Sequence, residues 1–280
     1  MRRLLVLASI LALVVTPAAH AESMSASDLL EKLALAPESN SDTYQRTLFK
    51  HWIDQDKDKC DTREEVLIQE SIKPAKTGSG CKVLAGKWVS AYDNKSFTSA
   101  TGLDIDHMVP LKEAWESGAF AWTSAQRQAF ANDLGFKGSL IAVSASTNRS
   151  KGDKDPSTWL PKNAKYTCTY IVTWLQVKYR WSLTVDDKEK TAISKKLESC
   201  PASKVFTVPK QMITSPVVPE PSNEPPPAAS SSVPETDAGL DPKFSSCSAA
   251  KEAGFGPYVK NVDPEYDWYR DGDSDGIVCE

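Results

Sequence analysis

A stretch rich in proline, serine and glutamate, residues 204–242, is the feature that most constrains how this chain can fold. It includes Pro225-Pro226-Pro227 and a run of small residues from Ala228 to Ser232. Because such a segment has few apolar side chains to bury, it predicts a semi-extended linker rather than a folded unit. The chain must therefore build its structure on either side, from residues 41–203 and from residues 243–280. The second unit is small enough to need a disulfide or a metal ion for stability.

The amino terminus has the pattern of a secretory signal peptide. A positive start is followed by an apolar run from Leu4 to Val15 and by the cleavage signature Ala19-His20-Ala21. The apolar run is too short to cross a bilayer. The sequence therefore predicts residues 1–21 as a signal peptide, residues 22–40 as a flexible lead-in, and a protein that is secreted or held at the cell surface.

The six cysteines support the same compartment. An even number of cysteines in an exported chain predicts disulfides, and the absence of C-x-x-C pairs argues against a cysteine zinc site. Several pairings are open from the sequence. We favour pairing between neighbours, because each disulfide then closes one local unit and none crosses the linker: Cys60–Cys81, Cys168–Cys200 and Cys247–Cys279.

Charge is distributed unequally between the two parts of the chain. Residues 42–200 contain 24 Lys/Arg and 20 Asp/Glu, whereas residues 204–280 contain 6 Lys/Arg and 13 Asp/Glu. This asymmetry is compatible with a polyanionic substrate for the first part and with cation binding by the second. Ordinary solvated surfaces would have the same composition, so the charges alone decide nothing.

Hydrophobic periodicity predicts a mainly helical α+β domain before the linker. Strand-like stretches cover Val83 to Tyr92, Phe97 to His107 and Leu140 to Val143. Helices are predicted at Tyr44 to Asp54, Arg63 to Glu70 behind an Asp61 cap, Leu111 to Ser117, Ser124 to Leu134, a segment capped by Ser144, Tyr166 to Trp181 and Asp186 to Ser199.

Asp106 and His107 form the first half of a candidate active site. Carboxylate and imidazole stand side by side just before Pro110, where a strand is expected to end. A carboxylate is a hard-oxygen ligand suited to Mg²⁺, and an imidazole can take a proton from water. The other histidine of the mature chain, His51, lies beside Trp52 in a helix-like stretch, which favours a surface or partly packed residue.

The second half follows the strand Leu140 to Val143. There, Asn148 and Lys151 are three residues apart on a predicted helix and so share one face. The pattern Asp106-His107-x-x-Pro110, followed by Asn148-x-x-Lys151-Gly152-Asp153, resembles the HNH (ββα-metal) nucleases. Further blocks in the same order are similar to secreted bacterial HNH proteins whose domain was formerly of unknown function, and the resemblance runs from about Tyr44 to Cys200. These blocks are Ala114-Trp115-x-Ser117-Gly118-Ala119, Phe130-Ala131-Asn132-Asp133 and Asn148-Arg149-Ser150-Lys151-Gly152-Asp153-x-Asp155-Pro156-x-x-Trp159.

The resemblance implies an endonuclease built around a ββα-metal core. Asp106 and Asn148 would hold Mg²⁺ or Mn²⁺, His107 would be the general base, and Lys151 with Arg149 would contact the substrate phosphate. The partner would be DNA or RNA, cleaved with little sequence preference because the protein contacts mainly the nucleic-acid backbone. Basic residues expected to hold that backbone are Lys137, Arg149, Lys151, Lys154, Lys162 and Lys165. Trp159 is a candidate for base stacking, although a core position is favoured.

One position departs from the family pattern. The family usually has an asparagine just before the second strand, where it ties down the loop that orients the histidine. Ser139 stands at that position here and can form only a shorter, weaker version of the hydrogen bond. Asn132 is another candidate for this support.

The carboxyl-terminal unit contains the pattern Asp271-x-Asp273-x-Asp275-Gly276-Ile277-x-x-Glu280. Alternating carboxylates can converge on one Ca²⁺ ion, and glycine permits the sharp turn between them. With Phe244-x-x-Cys247-x-x-Ala250 ahead of it, the unit is similar to the excalibur domain. That resemblance implies a Ca²⁺ site formed by Asp271, Asp273, Asp275, Ile277 and Glu280, and makes a cell-wall or surface polymer a partner to test.

Two further possibilities remain open from the sequence. A second acidic string, Asp54-x-Asp56-x-Asp58, has similar spacing, but Lys59 stands where glycine is needed. For the whole chain, the alternative to a nuclease is a calcium-dependent cell-surface binding protein whose HNH site has decayed. It predicts retention on a surface polymer without cleavage.

Overall fold

The computed structural model describes residues 23–201 and 205–214, and the short pieces 245–247, 258–259, 264–269 and 277–279. The chain divides into two compact units between Pro221 and Ser222. Several sequence-based predictions lie outside the described residues. They are the signal peptide at residues 1–21, most of the linker, and the calcium ligands Asp271, Asp273, Asp275 and Glu280.

The described part of the first unit is a mixed α+β structure, as predicted. Its helices are α1 (Ala26–Lys32), α2 (Thr62–Glu70), α3 (Leu111–Glu116), α4 (Ser124–Ala131), α5 (Ala145–Lys151), α6 (Ala164–Arg180) and α7 (Asp187–Leu197). Its strands are β1 (Ser23–Met24), β2 (Lys76–Thr77), β3 (Val83–Val89), β4 (Ser96–Ser99), β5 (Leu103–His107), β6 (Leu140–Ser144) and β7 (Phe206–Thr207). They form three small antiparallel sheets, β1–β7, β2–β3–β4 and β5–β6.

Local signals place most helix starts correctly. Asp61 accepts a hydrogen bond from the amide of Glu64 at the start of α2, and Thr123 and Gln126 form a capping box at α4. The predicted helix from Tyr44 to Asp54 is wrong, because only Arg46–Leu48 form a short 3-10 turn. Backbone groups on both sides of Trp52 bond to residues distant in the sequence instead of to one another.

The core of the first unit surrounds α6. Tyr170 and Trp174 on this helix are fully buried, and Trp181, which follows its last residue, is 1% exposed. The α6 residue Lys178 is also fully buried, and its ammonium lies 2.7 Å from both Glu113 and Glu189. None of the helices in the described ranges combines the length and apolar character needed to span a bilayer.

Two predicted boundaries need correction. The lead-in is folded, since α1 begins behind a Ser25 cap and buries Leu29 and Leu30. The linker begins later than residue 204, because Phe206–Thr207 pair with Ser23–Met24 and so close the first unit. Both segments fold although their average composition is polar. Burial of Leu29 and Leu30 and the backbone pairing of β1 with β7 are enough to order them.

The disulfides join neighbouring cysteines, Cys60–Cys81, Cys168–Cys200 and Cys247–Cys279. The third lies in the second unit. There, the described residues form a two-stranded sheet, β8 (Tyr258–Val259) and β9 (Ile277–Val278), and a small cluster of Tyr258, Tyr266 and Val278.

Candidate active site

Two antiparallel strands and a helix carry the predicted site. In the β5–β6 pair, Asp106 lies opposite Ile141 and His107 opposite Leu140. Strand β6 continues into α5 at Ser144, whose hydroxyl bonds to Asp93 and Thr147 rather than to the helix backbone. Because Ser144 lies opposite Leu103, α5 starts beside the first residue of β5, and its last residue, Lys151, reaches Asp106 near the other end of the strand.

A cleft of about 330 Å³ opens at this junction. It brings together four of the predicted site residues, Asp106, His107, Asn148 and Arg149. The remaining lining residues are Arg46, Ile105, Pro110, Leu111, Gly152 and Asp153. No local pattern marks Arg46, which stands 60 positions before Asp106 in an irregular segment.

Asp106 is held from one side only. Its Oδ2 accepts hydrogen bonds from the Tyr92 hydroxyl at 2.5 Å and from Lys151 Nζ at 2.6 Å, whereas Oδ1 has no hydrogen-bonding partner among the described residues. Burial raises the pKa of Asp106, and the Lys151 ammonium opposes that rise. Asp106 also lines the cleft, so its second oxygen is available to a cation.

Lys151 does not contact the cleft, which corrects the prediction that it binds the substrate phosphate. The side chain is fully buried, and its ammonium also donates to the carbonyl oxygens of His107 and Met108, at 2.7 and 2.9 Å. The helical spacing predicted that Lys151 shares a helix face with Asn148. It could not show that the Asp106 carboxylate and two backbone carbonyls pack against the lysine ammonium.

Asn148 lines the cleft from α5. Its Nδ2 donates to Asp104 Oδ2 at 3.2 Å, so Oδ1 is the side-chain atom that could hold a cation. Together with Asp106, this gives two hard oxygen donors in one cleft, and the carboxylate of Asp153 lines it as well. This donor set fits a divalent ion such as Mg²⁺ or Mn²⁺.

His107 is fixed in position and neutral. Its Nε2 lies 2.9 Å from the carbonyl oxygen of Ala131, and since a carbonyl only accepts, Nε2 must carry the proton. Burial lowers the pKa of His107 to about 3, so Nδ1 keeps a free lone pair at neutral pH. The ring lies between Trp52 and Phe130, with centroid distances of 5.6 and 6.3 Å and interplanar angles of 28° and 16°.

Ser139 supports the turn after His107 through its backbone. Its carbonyl accepts from the amide of Met108 at 2.9 Å, whereas its hydroxyl donates to Asp133 Oδ2 at 2.6 Å. Its side chain therefore does not take the part that the family's asparagine would have here.

The other predicted substrate contacts lie away from the cleft. Lys137, Lys154, Lys162 and Lys165 are exposed, but none of them lines it. Trp159 is half-buried, with its ring 5.2 Å from that of Tyr92 and 5.6 Å from that of Tyr170, which agrees with the packing role.

The acidic string Asp54, Asp56 and Asp58 is brought together by the fold. One carboxylate oxygen of each lies within 4.8 Å of the others, and all three residues are exposed. The amides of Lys59 and Cys60 donate to Asp54 and Asp58. Exposed acidic groups often cluster without an ion, so the cluster alone does not indicate a calcium site.

Comparison with known proteins places the site within a family. The model for the C-terminal domain of GmrSD restriction endonucleases matches residues 57–196, which include every residue of the cleft except Arg46. The chain belongs to this GmrSD C-terminal domain family. The Excalibur calcium-binding domain matches residues 244–280, beyond the GmrSD domain.

A relative of this chain comes from a fungus. An "Uncharacterized secreted protein" of Arthroderma benhamiae is 42% identical over 185 residues, which cover 66% of this chain and 89% of that protein. The similarity therefore extends beyond the bacterial proteins that the motifs resembled. No solved structure shows significant similarity to the chain.

Proposed function

We propose that the protein is an exported, divalent-metal-dependent endonuclease of the HNH type that hydrolyses nucleic acid with little sequence preference. One observation carries the proposal. Asp106, His107 and Asn148 line a single cleft, with Asp106 Oδ1 and His107 Nδ1 both left without a hydrogen-bonding partner among the described residues. Membership of a restriction-endonuclease domain family supports the same conclusion.

The chain's own residues divide the chemistry between them. His107 Nδ1 takes a proton from the attacking water, and a positioned base of this kind accelerates a reaction by ~10²–10⁴-fold. Asp106 and Asn148 hold the cation. When bound, Mg²⁺ or Mn²⁺ neutralises phosphate charge and stabilises the leaving oxygen. Because Nε2 donates a hydrogen bond to the Ala131 carbonyl, Nδ1 is the ring nitrogen that remains available to accept a proton.

Two arginines take the place that the sequence assigned to Lys151. Arg149 on α5 and Arg46 on the irregular segment are the cationic residues that line the cleft. Guanidinium groups bind phosphate oxygens through paired hydrogen bonds. Such contacts hold the backbone rather than the bases, which explains weak sequence preference and predicts strong salt dependence.

The remaining features fit an exported protein with a tethered calcium module. Three disulfides, the predicted signal peptide at residues 1–21 and a relative named as secreted all agree with an oxidising compartment. The Excalibur match supports calcium binding, for which Asp271, Asp273, Asp275, Ile277 and Glu280 are the proposed ligands. A cell-wall or surface polymer remains the partner to test for that module.

A nicking assay tests the proposal. Mature protein is incubated with plasmid DNA and with RNA in the presence of Mg²⁺ or Mn²⁺, with EDTA as the metal-free control. We expect cleavage that EDTA abolishes and that His107→Ala reduces by ~10²–10⁴-fold. The matched control is His51→Ala, whose ring lies 6.4 Å from that of His107 and should be dispensable. Intact substrates under every condition would overturn the proposal, and polymer retention without cleavage would favour a surface-binding protein.

A further inference from the structure

A single buried amide, Asn132, holds the backbone on both sides of the His107 ring. We propose that Asn132 is the positioning residue for the general base, in place of the asparagine that an HNH nuclease has just before its second strand. This inference rests on the proposed function. Asn132 touches neither the cleft nor the reacting atoms, so its effect is exerted through the residues that enclose His107.

The loop that carries Trp52 packs against one side of the His107 ring. Asn132 Nδ2 donates to the carbonyl of Lys50 at 2.8 Å, and its Oδ1 accepts from the amide of Ile53 at 3.2 Å. These two bonds bracket Trp52, whose ring stacks on His107. Trp52 has a φ of 58°, in the left-handed region that residues other than glycine seldom occupy. The surrounding bonds must therefore impose this conformation.

The carboxyl-terminal end of α4 also packs against the His107 ring. Asn132 is the residue that ends this helix, and its Nδ2 also donates to the carbonyl of Gln128 at 2.8 Å. The preceding residue, Ala131, provides the carbonyl that accepts the hydrogen bond from His107 Nε2, and Phe130 also stacks on the His107 ring. Fixing the helix end thus fixes both the acceptor and the stacking partner of the imidazole.

The amide is used to its full capacity. A fourth hydrogen bond comes from the Thr62 hydroxyl to Asn132 Oδ1 at 2.8 Å, so two donors and two acceptor sites are all engaged. Asn132 is 4% exposed, which means that water cannot replace these partners. Replacing Asn132 by alanine would leave the Lys50 carbonyl and the Ile53 amide without hydrogen-bonding partners. Replacing it by aspartate would place a carboxylate oxygen next to the carbonyl oxygens of Lys50 and Gln128, which repel it.

The neighbouring residue Asp133 provides a matched control. It is 6% exposed and bonds to Ser139, Arg180 and Trp181, so it belongs to an equally buried network. That network includes neither the Trp52 loop nor the carbonyl of Ala131. Asp133 bonds only to the hydroxyl of Ser139, whereas Ser139 supports the turn after His107 through its backbone carbonyl. Breaking that network should lower the stability of the protein without moving Trp52 or Phe130, which stack on His107.

The test compares Asn132→Ala with Asp133→Asn in the full chain, at a temperature where both are folded by circular dichroism. For Asn132→Ala we expect kcat on plasmid DNA to fall about 10–100-fold with KM nearly unchanged, because a misplaced base loses transition-state stabilisation only. Asp133→Asn should lower the unfolding temperature but keep kcat. Wild-type kcat in folded Asn132→Ala, or an equal loss of kcat in Asp133→Asn, would overturn the inference.

A second readout does not depend on activity. The His107 Nε2 proton, bonded to a buried carbonyl, should give a slowly exchanging imidazole N–H signal in the NMR spectrum of the wild type. We expect the signal to broaden or vanish in Asn132→Ala and to persist in Asp133→Asn. If the wild type cleaves nothing, the proposed function fails, but an unchanged signal in Asn132→Ala would separately refute the positioning role. Should Asn132→Ala not fold, Asn132→Ser keeps a hydroxyl that can donate to one of the two carbonyls, and it is expected to change the signal in the same direction.

Discussion

The ammonium of Lys151 and the carboxylate of Asp106 are 2.6 Å apart inside the protein, and neither side chain is more than 6% exposed. The pair ties the end of α5 to the end of β5, because the same ammonium also binds the carbonyls of His107 and Met108. Lys151 therefore supports the cleft from inside the protein, whereas Arg46 and Arg149 line it.

Lys151→Met is expected to destabilise the protein strongly. Removing one partner of a buried ion pair leaves an uncompensated charge and typically costs about 3–5 kcal/mol. Urea unfolding measures the loss, and exposed Lys154→Met serves as the control, with an expected change below about 0.5 kcal/mol. If Lys151→Met had normal stability and only a raised KM, the result would contradict the structural role and support the original prediction that Lys151 binds the substrate phosphate.

Arg46→Ala is expected to weaken substrate binding. A lost charge-assisted hydrogen bond to phosphate corresponds to roughly 1.5–3 kcal/mol, or a drop in kcat/KM of about 10–100-fold. The dependence of kcat/KM on salt should become less steep, because one fewer counterion is displaced. Kinetics across a salt series provide the measurement, and Lys137→Ala, exposed but outside the cleft, should change neither quantity. Equal salt slopes for wild type and Arg46→Ala would contradict a contact with phosphate.

Glu70 is expected to make stability depend on pH. Burial raises its pKa from 4.5 to about 7, although its carboxylate accepts a hydrogen bond from the amide of Ala142. Because the folded state binds the proton more tightly, this residue's contribution is most favourable below pH 4.5 and is lost as the pH rises to about 7. Glu70→Gln, which can still accept that bond, should therefore be more stable than wild type at pH 8 by roughly 1–3 kcal/mol.

The check for Glu70 is urea unfolding of both proteins at about pH 4 and pH 8. The stability difference should nearly vanish at the lower pH, where the glutamate is protonated in both states. A difference of the same size at both values would mean that burial of the charge is not its cause.

Asp273→Asn is expected to abolish calcium binding by the second unit. Titration calorimetry of the full chain should then lose one Ca²⁺ per molecule, because one of three alternating carboxylates no longer carries charge. Asp56→Asn is the parallel variant in the Asp54, Asp56 and Asp58 group. If it instead removes the bound calcium, the ion belongs to the first unit; if Asp273→Asn leaves the stoichiometry unchanged, the assignment to Asp273 fails.

Much of the order of elements along the chain could be predicted from local patterns. Asp61 and Thr123 mark helix starts because each bonds to an amide only three positions away. Disulfide partners 21 or 32 residues apart also follow local units. The proximity of Asp106 and His107 to Asn148 could also be predicted, because β6 pairs with β5 and continues directly into α5.

Which side chains face the cleft and which support it depends on contacts between distant parts of the chain. Asn132 meets Lys50 across 82 positions of the sequence, and Lys151 meets Asp106 across 45. Periodicity along the chain specifies the face of a helix but not what packs against that face. Whether a lysine reaches solvent or a buried carboxylate depends on the balance between desolvation and pairing, and that balance is set by residues from elsewhere in the chain.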